Sequence, residues 1–319
     1  MPEAADGYAT RPRTEADGGL AIERPRELGD IRRFSHEAMA TVFEVYAVHP
    51  DERYAAQAAQ AAFDLTDRLE RELSRFLSNS DIARVNHLAA GESVQVSPST
   101  LECLVIARHM FDLTNGAFDI SIGTGLPSLE LNPDDFLVHA TTSGVQVDLG
   151  GIGKGYAVDL MAELLEEWQV DAALVHGGYS SVLALEPPAG RDGWPLTLSD
   201  PAAPTRVLAR LSARQTALSA SGLRKGDHIL DPRTGVAAQA RIATWAALPR
   251  PQIAPVEDRP RFAAAAVADA LTTAFMLLSP AAIEGLCERT PGLEAWLLPQ
   301  PASGTQAGAE LVHFGGAAE

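Results

Sequence analysis

Cysteines and basic residues are scarce in this sequence, and both shortages limit what the protein can be. Cys103 and Cys287 are the only cysteines in 319 residues, too few for a disulfide framework and without the spacing of a metal site. With 25 basic against 42 acidic residues, the formal net charge is −17. Because phosphate contacts need a net basic face, this charge argues against a nucleic-acid or anionic-membrane partner.

Long apolar segments are also absent. No run approaches the roughly 20 residues that cross a bilayer, and residues 1–30 contain charged and proline residues where a signal peptide needs an apolar core. We therefore expect no transmembrane segment and, for the chain as given, a cytoplasmic location. A hydrophobic content of 46% is typical of a globular enzyme.

Composition divides the chain into a core and two tails. Residues 1–33 are rich in Arg, Glu, Pro and Gly, and residues 300–319 are rich in Ala and Gly, so we predict mobile tails at both ends. The core, 34–299, is expected to be a single catalytic unit. Its strands and helices follow one another without regular βαβ alternation, which favours an α+β fold of mixed sheets with packed helices.

Hydrophobic periodicity predicts the main elements of this core. Helices are expected over about 52–76, 102–113, 156–168 and 263–278. HEAMATVFEVYAV indicates one strand, and ALVHGGYSSVLALE indicates two strands joined by a tight turn. Further strands are expected in RVLARLSARQTALSAS, HILDPRTG and RIATWAAL, and PRPQIAPVEDRPR is typical of a proline-rich surface loop.

A glycine-rich turn in VDLGGIGKGYAVDL is the first candidate functional feature. A short predicted strand, Val145–Leu149, leads into the glycines, and a helix follows them. Free backbone N–H groups and the positive end of the helix dipole meet at such a helix start, where a pyrophosphate could bind beside Lys154. The spacing fits neither a P-loop nor a Rossmann fingerprint. On these residues alone, a turn that only packs a strand onto a helix stays an equal alternative.

Two further segments carry candidate residues. In AVADALTTAFMLLS, Asp269 and Thr273 are four residues apart, so a carboxylate and a hydroxyl share one helix face and could bind one cation, with Thr272 beside them. Taken alone, such residues more often cap or solvate a helix. In SGLRKGDHILDPRTGVAA, His228 precedes a predicted strand and a type I turn, where a lone histidine is usually structural.

Six blocks together resemble the ApbE family of FAD:protein FMN transferases. They are the early MAT, LSRFLSNSDIARVN, NGAFDISIG, VDLGGIGKGYAVD, HILDPRTG and ADALTTA, which occur in the family's order over about residues 36–280. The resemblance implies an α+β fold related to the T-fold and an enzyme that depends on Mg²⁺. That enzyme would cleave the FAD pyrophosphate, attach FMN through a phosphoester to a Ser or Thr of an acceptor flavoprotein, and release AMP.

The resemblance also implies roles for particular residues. His228 would act as the base on the acceptor hydroxyl, which suits an imidazole because it titrates near neutral pH. The metal would be bound by Asp269, Thr273 and the neighbourhood of Gly151. Contacts to the flavin nucleotide would come from Met39, Phe76, Ala117, Phe118, Asp119, Asp148, Lys154 and Ile229. For Met39, Phe76 and Phe118, packing in the core stays an equal alternative.

The chain also departs from the family pattern. MAT replaces a more usual MGT, Gly153 stands where alanine is common, and His176 and Tyr179 occupy positions where other residues are often found. Segment 123–144 is shorter than usual and the loop before Ala263 is longer, so the acceptor protein is not predicted. Family members are commonly exported or lipid-anchored, so either this protein acts in the cytoplasm or the start given for the chain omits an export signal. The sequence gives no indication of oligomeric state.

Two other functions fit the same residues. A metal-dependent FAD pyrophosphatase would use water in place of the acceptor hydroxyl, and only His228 favours transfer over hydrolysis. A flavin-binding protein without activity would need neither a base nor a metal pair, so the presence of Asp269, Thr273 and His228 argues against it.

Overall fold

The computed structural model describes residues 20–22, 31–178, 180–223, 229–250, 263–300 and 310–316. Its helices are α1 (Glu52–Leu73), α2 (Asp81–Val85), α3 (Pro98–Leu113), α4 (Gly153–Glu167), α5 (Ala264–Phe275) and α6 (Pro280–Arg289). Its strands are β1 (Leu20–Ile22), β2 (Arg32–Ala38), β3 (Thr41–Ala47), β4 (Ser93–Gln95), β5 (Leu129–Asn132), β6 (Leu137–Ala140), β7 (Ala173–Gly177), β8 (Ser181–Ala184), β9 (Trp194–Asp200), β10 (Ala203–Ala213), β11 (Thr216–Gly222), β12 (Arg241–Pro249), β13 (Glu294–Pro299) and β14 (Val312–Phe314).

An eight-stranded antiparallel sheet forms the centre of the fold. Its strand order is β14–β13–β12–β11–β8–β7–β3–β2. Because successive side chains point to opposite faces of a strand, Leu183 of β8 belongs to the larger core and Val182 to a second core. The larger core also contains residues of α1, α3, α4 and α5, and the second contains residues of β9. The result is three layers: helices, the large sheet, and a small sheet with strand order β1–β9–β10.

Small residues let α4 and α5 pack closely on the helix side of the sheet. The first half of α5 is almost entirely alanine, and these alanines are buried. On α4, a Cβ atom at Gly155 would lie only 2.2 Å from the carbonyl oxygen of Ala265. Only glycine allows this approach, and it brings the start of α4 against the first turn of α5.

The α+β fold predicted from the sequence is confirmed, and most element predictions hold to within a few residues. The strand pair β7 and β8, the strands β10, β11 and β12, and the helices α1, α3, α4 and α5 all occur. Helix α3 begins earlier than predicted, at Pro98, because Ser97 caps it by accepting a hydrogen bond from the N–H of Thr100 at 3.1 Å. Helix α6 and strand β13 were not predicted.

Two element predictions in the core are wrong. HEAMATVFEVYAV forms a hairpin, β2 and β3, because Met39 and Ala40 adopt left-handed backbone conformations, with φ of 50° and 56°, that make a tight turn. Val145–Leu149 is not a strand. Its backbone is held instead by the side chain of Asn86, which accepts from the N–H of Val147 at 2.6 Å and donates to its carbonyl at 3.0 Å.

Short strands also occur inside both segments predicted as tails. Strand β14 pairs with β13 inside the predicted C-terminal tail, and β1 pairs with β9 inside the predicted N-terminal one. HILDPRTG contributes a single bridge, between Leu230 and Ala237, rather than a full strand. Residues 251–261 of the predicted proline-rich loop lie outside the described residues. Within the described ranges, every helix is too short or too polar to cross a bilayer.

Candidate active site

A buried carboxylate on α5 lies against the glycine-rich turn. Asp269 is 3% exposed, and its Oδ2 atom accepts a hydrogen bond from the backbone N–H of Gly155 at 3.1 Å. The Nζ atom of Lys154 lies 3.7 Å from the same oxygen. Burial raises the pKa of Asp269, and Lys154, the Gly155 N–H and the Ser181 hydroxyl oppose that rise. The carboxylate is therefore held by the start of α4.

Hydroxyl groups surround the next turn of α5. The Oγ1 atom of Thr272 donates to the carbonyl oxygen of Asp269 at 2.8 Å, and Ser221 of β11 lies 2.9 Å from the Thr272 hydroxyl. Among the described residues, the hydroxyl of Thr273 makes only long contacts of 3.5 Å, to Ser221 and to the Asp269 carbonyl. Thr272 is thus committed to internal hydrogen bonds, whereas Thr273 retains capacity to bind a ligand.

The glycine-rich turn closes onto Thr273 and Phe118. A Cβ atom at Gly151 would lie 3.3 Å from the Thr273 Oγ1 and 3.2 Å from the Phe118 ring. Lys154 donates to the carbonyl oxygen of Gly150 at 3.1 Å, so its ammonium group lies over the turn. In the part of the chain that the structure describes, no side chain caps α4. Gly151, Thr273, Lys154 and Asp269, predicted from two distant segments, therefore occupy one site with backbone N–H groups of a helix start beside them.

Asp148 connects this turn to the end of α1. It accepts from the N–H of Gly150 at 2.9 Å and pairs with the Nε atom of Arg75 at 3.0 Å. The Arg75 guanidinium also lies 4.6 Å from the centre of the Phe76 ring. Phe76 is 81% exposed, so the alternative that it packs in the core is wrong. A stacked arginine and aromatic ring at the surface beside the glycine turn is a suitable contact for a flat ligand.

The next flavin-contact candidates are packed in the core or hydrogen-bonded within their own loop. Ala117 and Phe118 are buried, and Met39 is half-buried against the main core. The Asp119 carboxylate shapes its own loop, accepting from the N–H and hydroxyl of Ser121 and from the N–H of Gly123. These bonds fix the backbone after the Phe118 ring.

The HILDPRTG segment lies next to the same loop. A Cβ atom at Gly123 would be 2.7 Å from the carbonyl oxygen of Pro232. Ile229 is buried with Ala238 and Met276, just beyond the end of α5. His228, the predicted base, lies outside the described residues.

Sequence reasoning missed two groups at this site. Arg75 directly precedes Phe76, but its pairing with Asp148 joins segments more than 70 residues apart and leaves no local pattern. The serines on β8 and β11 were read only as parts of strands, although Ser181 and Ser221 face α5. Because hydroxyl residues are common in strands, their composition alone could not identify them.

Comparison with known proteins identifies the family to which the chain is similar. The model of the ApbE family matches residues 39–129 and 124–297. An FAD:protein FMN transferase of Klebsiella pneumoniae is 24% identical over 319 residues, covering 83% of this chain and 86% of the relative. A Vibrio cholerae protein of the same name is 24% identical over 264 residues, covering 70% and 77%. The chain spans 66% of a second Klebsiella pneumoniae relative of that name, with 25% identity over 218 residues.

Solved structures show the same fold. The flavin transferase ApbE from Vibrio cholerae superposes with a TM-score of 0.73 at 18% identity, covering 89% of this chain and 97% of that one. The apo form of the Pseudomonas stutzeri flavinyl transferase ApbE gives a TM-score of 0.71 at 21% identity, covering 89% and 94%. Since the family model spans most of the core, including the glycine turn and α5, this chain belongs to the ApbE family.

Proposed function

We propose that this protein is a Mg²⁺-dependent FAD:protein FMN transferase. It takes FAD as substrate, attaches FMN by a phosphoester to a Ser or Thr of an acceptor flavoprotein, and releases AMP. The observation that carries the proposal is the buried carboxylate of Asp269, held by the N–H of Gly155 and beside Lys154 at a glycine-rich helix start. The names of the relatives support the same activity.

The residues around Asp269 suit a magnesium ion. Within the described ranges, no three His, Cys, Asp or Glu side chains come together as a metal cluster. Mg²⁺ often binds through one or two carboxylates and completes its shell with water and substrate phosphates. Asp269, the Thr273 hydroxyl and the backbone at Gly151 provide such a partial set of oxygens. When bound, the metal would neutralise charge on the pyrophosphate.

The chain's own groups would act on the rest of the pyrophosphate. Lys154 would bind and orient phosphate oxygens, since its ammonium group lies over the glycine turn and beside Asp269. The exposed Phe76 ring and the Arg75 guanidinium would contact the flat part of the substrate.

The transfer itself is a substitution at the phosphorus of the FMN half. The acceptor hydroxyl oxygen forms a new bond to that phosphorus, the bond to the bridging oxygen breaks, and AMP leaves with that oxygen. The hydroxyl proton passes to a base. His228 is our proposed base on the family resemblance.

The proposal is tested by following FAD breakdown with and without an acceptor domain. We expect AMP to form only with Mg²⁺, and in a one-to-one ratio with flavin bound covalently to the acceptor. Equal AMP release in the absence of acceptor, with free FMN as the second product, would replace transfer by FAD hydrolysis. Tight FAD binding without any AMP would indicate a flavin-binding protein instead.

A further inference from the structure

Two buried serine hydroxyls beneath α5 lack a hydrogen-bond partner. Ser181 of β8 and Ser219 of β11 are fully buried, and they lie directly opposite each other in the antiparallel ladder. Neither Oγ atom has a partner that meets hydrogen-bonding geometry in the described part of the chain, although the Ser181 hydroxyl lies close enough to the Asp269 carboxylate to act on it. A buried hydroxyl without a partner is destabilising, so natural proteins usually provide one, as protein, water or ligand.

Both hydroxyls point towards the candidate active site rather than into the second core. Their strand neighbours Val182 and Leu218 belong to the core on the small-sheet side, so by alternation Ser181 and Ser219 face the helices. Ser221, two residues further along β11, confirms the direction because its hydroxyl contacts Thr272 of α5 at 2.9 Å.

The pair lies at the level of Asp269. Two residues along a strand cover about 6.6 Å, close to the 5.4 Å of one helical turn, so a strand position two residues from Ser221 faces the turn of α5 next to Thr272. Arg241 of β12, beyond the Gly222 end of β11 in the ladder, donates to the carbonyl oxygens of Phe275 and Leu278, so the Ser219 end faces the earlier turn of α5 that carries Asp269. The Asp269 carboxylate therefore has Lys154 and Gly155 on one side and the serine pair beneath it.

We propose that Ser181 and Ser219 bind the water ligands of the divalent cation held at Asp269. This inference rests on the proposed function and deepens it. Mg²⁺ keeps several of its waters when it binds to proteins, and each water needs acceptors and donors around it. Two hydroxyls with free hydrogen-bonding capacity, beside the Asp269 carboxylate, meet that need. Groups of this kind orient the primary ligands of metal sites and tune their affinity.

The test measures Mn²⁺ binding by electron paramagnetic resonance, with Mn²⁺ as a probe for the divalent cation, in the full chain with FAD present. In the double variant Ser181→Ala/Ser219→Ala, we expect the Kd for Mn²⁺ to rise at least tenfold. Without metal, the melting temperature of the same variant should be unchanged or higher, because the substitutions remove unpaired buried hydroxyls. Ser199→Ala, a buried serine of β9 outside the site, is the matched control and should leave Mn²⁺ affinity unchanged.

The outcomes separate this inference from the function on which it rests. Unchanged Mn²⁺ affinity in a folded double variant would overturn the role of the serine pair and leave the transferase proposal intact. A lower melting temperature without metal would also overturn it, since the hydroxyls would then already have protein partners. Failure of the unsubstituted protein to bind Mn²⁺ would instead remove the metal assignment itself.

Discussion

A buried carboxylate on α4, Asp159, caps the helix that carries Asp269. Its two oxygens accept hydrogen bonds from the backbone N–H groups of Ala265 at 3.0 Å and Ala266 at 2.8 Å, at the start of α5. Burial raises the pKa of Asp159 from 3.8 to about 7. The two N–H groups and Arg250 lower it, and Glu163 raises it further, so burial decides the direction.

This raised pKa predicts how stability changes with pH. Between pH 3.8 and about 7, the folded protein keeps the Asp159 proton and the unfolded chain has lost it, so stability falls as pH rises. The stabilisation that protonated Asp159 gives the folded protein is complete below pH 3.8 and absent above about pH 7. A pKa difference of this size corresponds to about 4 kcal/mol. Asp159→Asn removes the titrating group. The free energy of unfolding of the parent, relative to that of this variant, should therefore fall by about 4 kcal/mol between pH 3.8 and about 7.

Urea unfolding of both proteins between pH 4 and pH 8 measures this difference directly. We expect the free energy of unfolding of the parent, minus that of Asp159→Asn, to fall with pH up to about 7 and then stay constant. Asp51→Asn is the control, because Asp51 caps α1 at an exposed position and reports the effect of capping alone. A difference that rises with pH would refute the reasoning, since the N–H groups would then stabilise the charged form more than burial destabilises it.

Three further predictions concern packing, acid stability and the metal. Gly155→Ala should destabilise the protein by about 3 kcal/mol or more, because its Cβ atom would lie 2.2 Å from the carbonyl oxygen of Ala265 in α5. Gly153→Ala should be tolerated, because the nearest atom to its Cβ would be the Leu149 Cβ at 3.8 Å. Thermal unfolding of both variants checks this. Burial lowers the pKa of His176 to about 4, so the unfolded chain binds a proton there before the folded protein does. The free energy of unfolding should therefore fall by up to about 3 kcal/mol as pH decreases from 6.5 to 4. In urea unfolding, His176→Gln should show a smaller fall. Asp269→Ala should bind Mn²⁺ more weakly by at least tenfold in the resonance titration while keeping a cooperative unfolding transition.

The elements around the site could be predicted where periodicity is strong. Apolar residues at helical spacing predict helix α5, and because Asp269 and Thr273 are four residues apart, they lie on one face of it. The hairpin turn at Met39 could not be read in the same way. It requires left-handed backbone at two residues that are not glycine, a conformation that the sequence does not favour.

The site itself depends on contacts between distant segments. Asp148 meets Arg75, and Gly155 meets Asp269 across 114 residues. No local pattern encodes these distances, and only the resemblance to a family grouped the segments beforehand. Neither local patterns nor the family resemblance indicated Ser181 and Ser219. They are recognised because their buried hydroxyls lack partners, which only the three-dimensional structure shows.

The central claim is that Asp269 and the glycine turn form the site that transfers FMN to a protein. Its most direct test is the intact mass of a candidate acceptor domain after incubation with FAD, Mg²⁺ and either the parent protein or Asp269→Ala. We expect the acceptor to gain the mass of FMN with the parent, and to stay unmodified with the folded variant. Equal modification by both proteins would contradict the account, because the transfer would then not depend on this carboxylate.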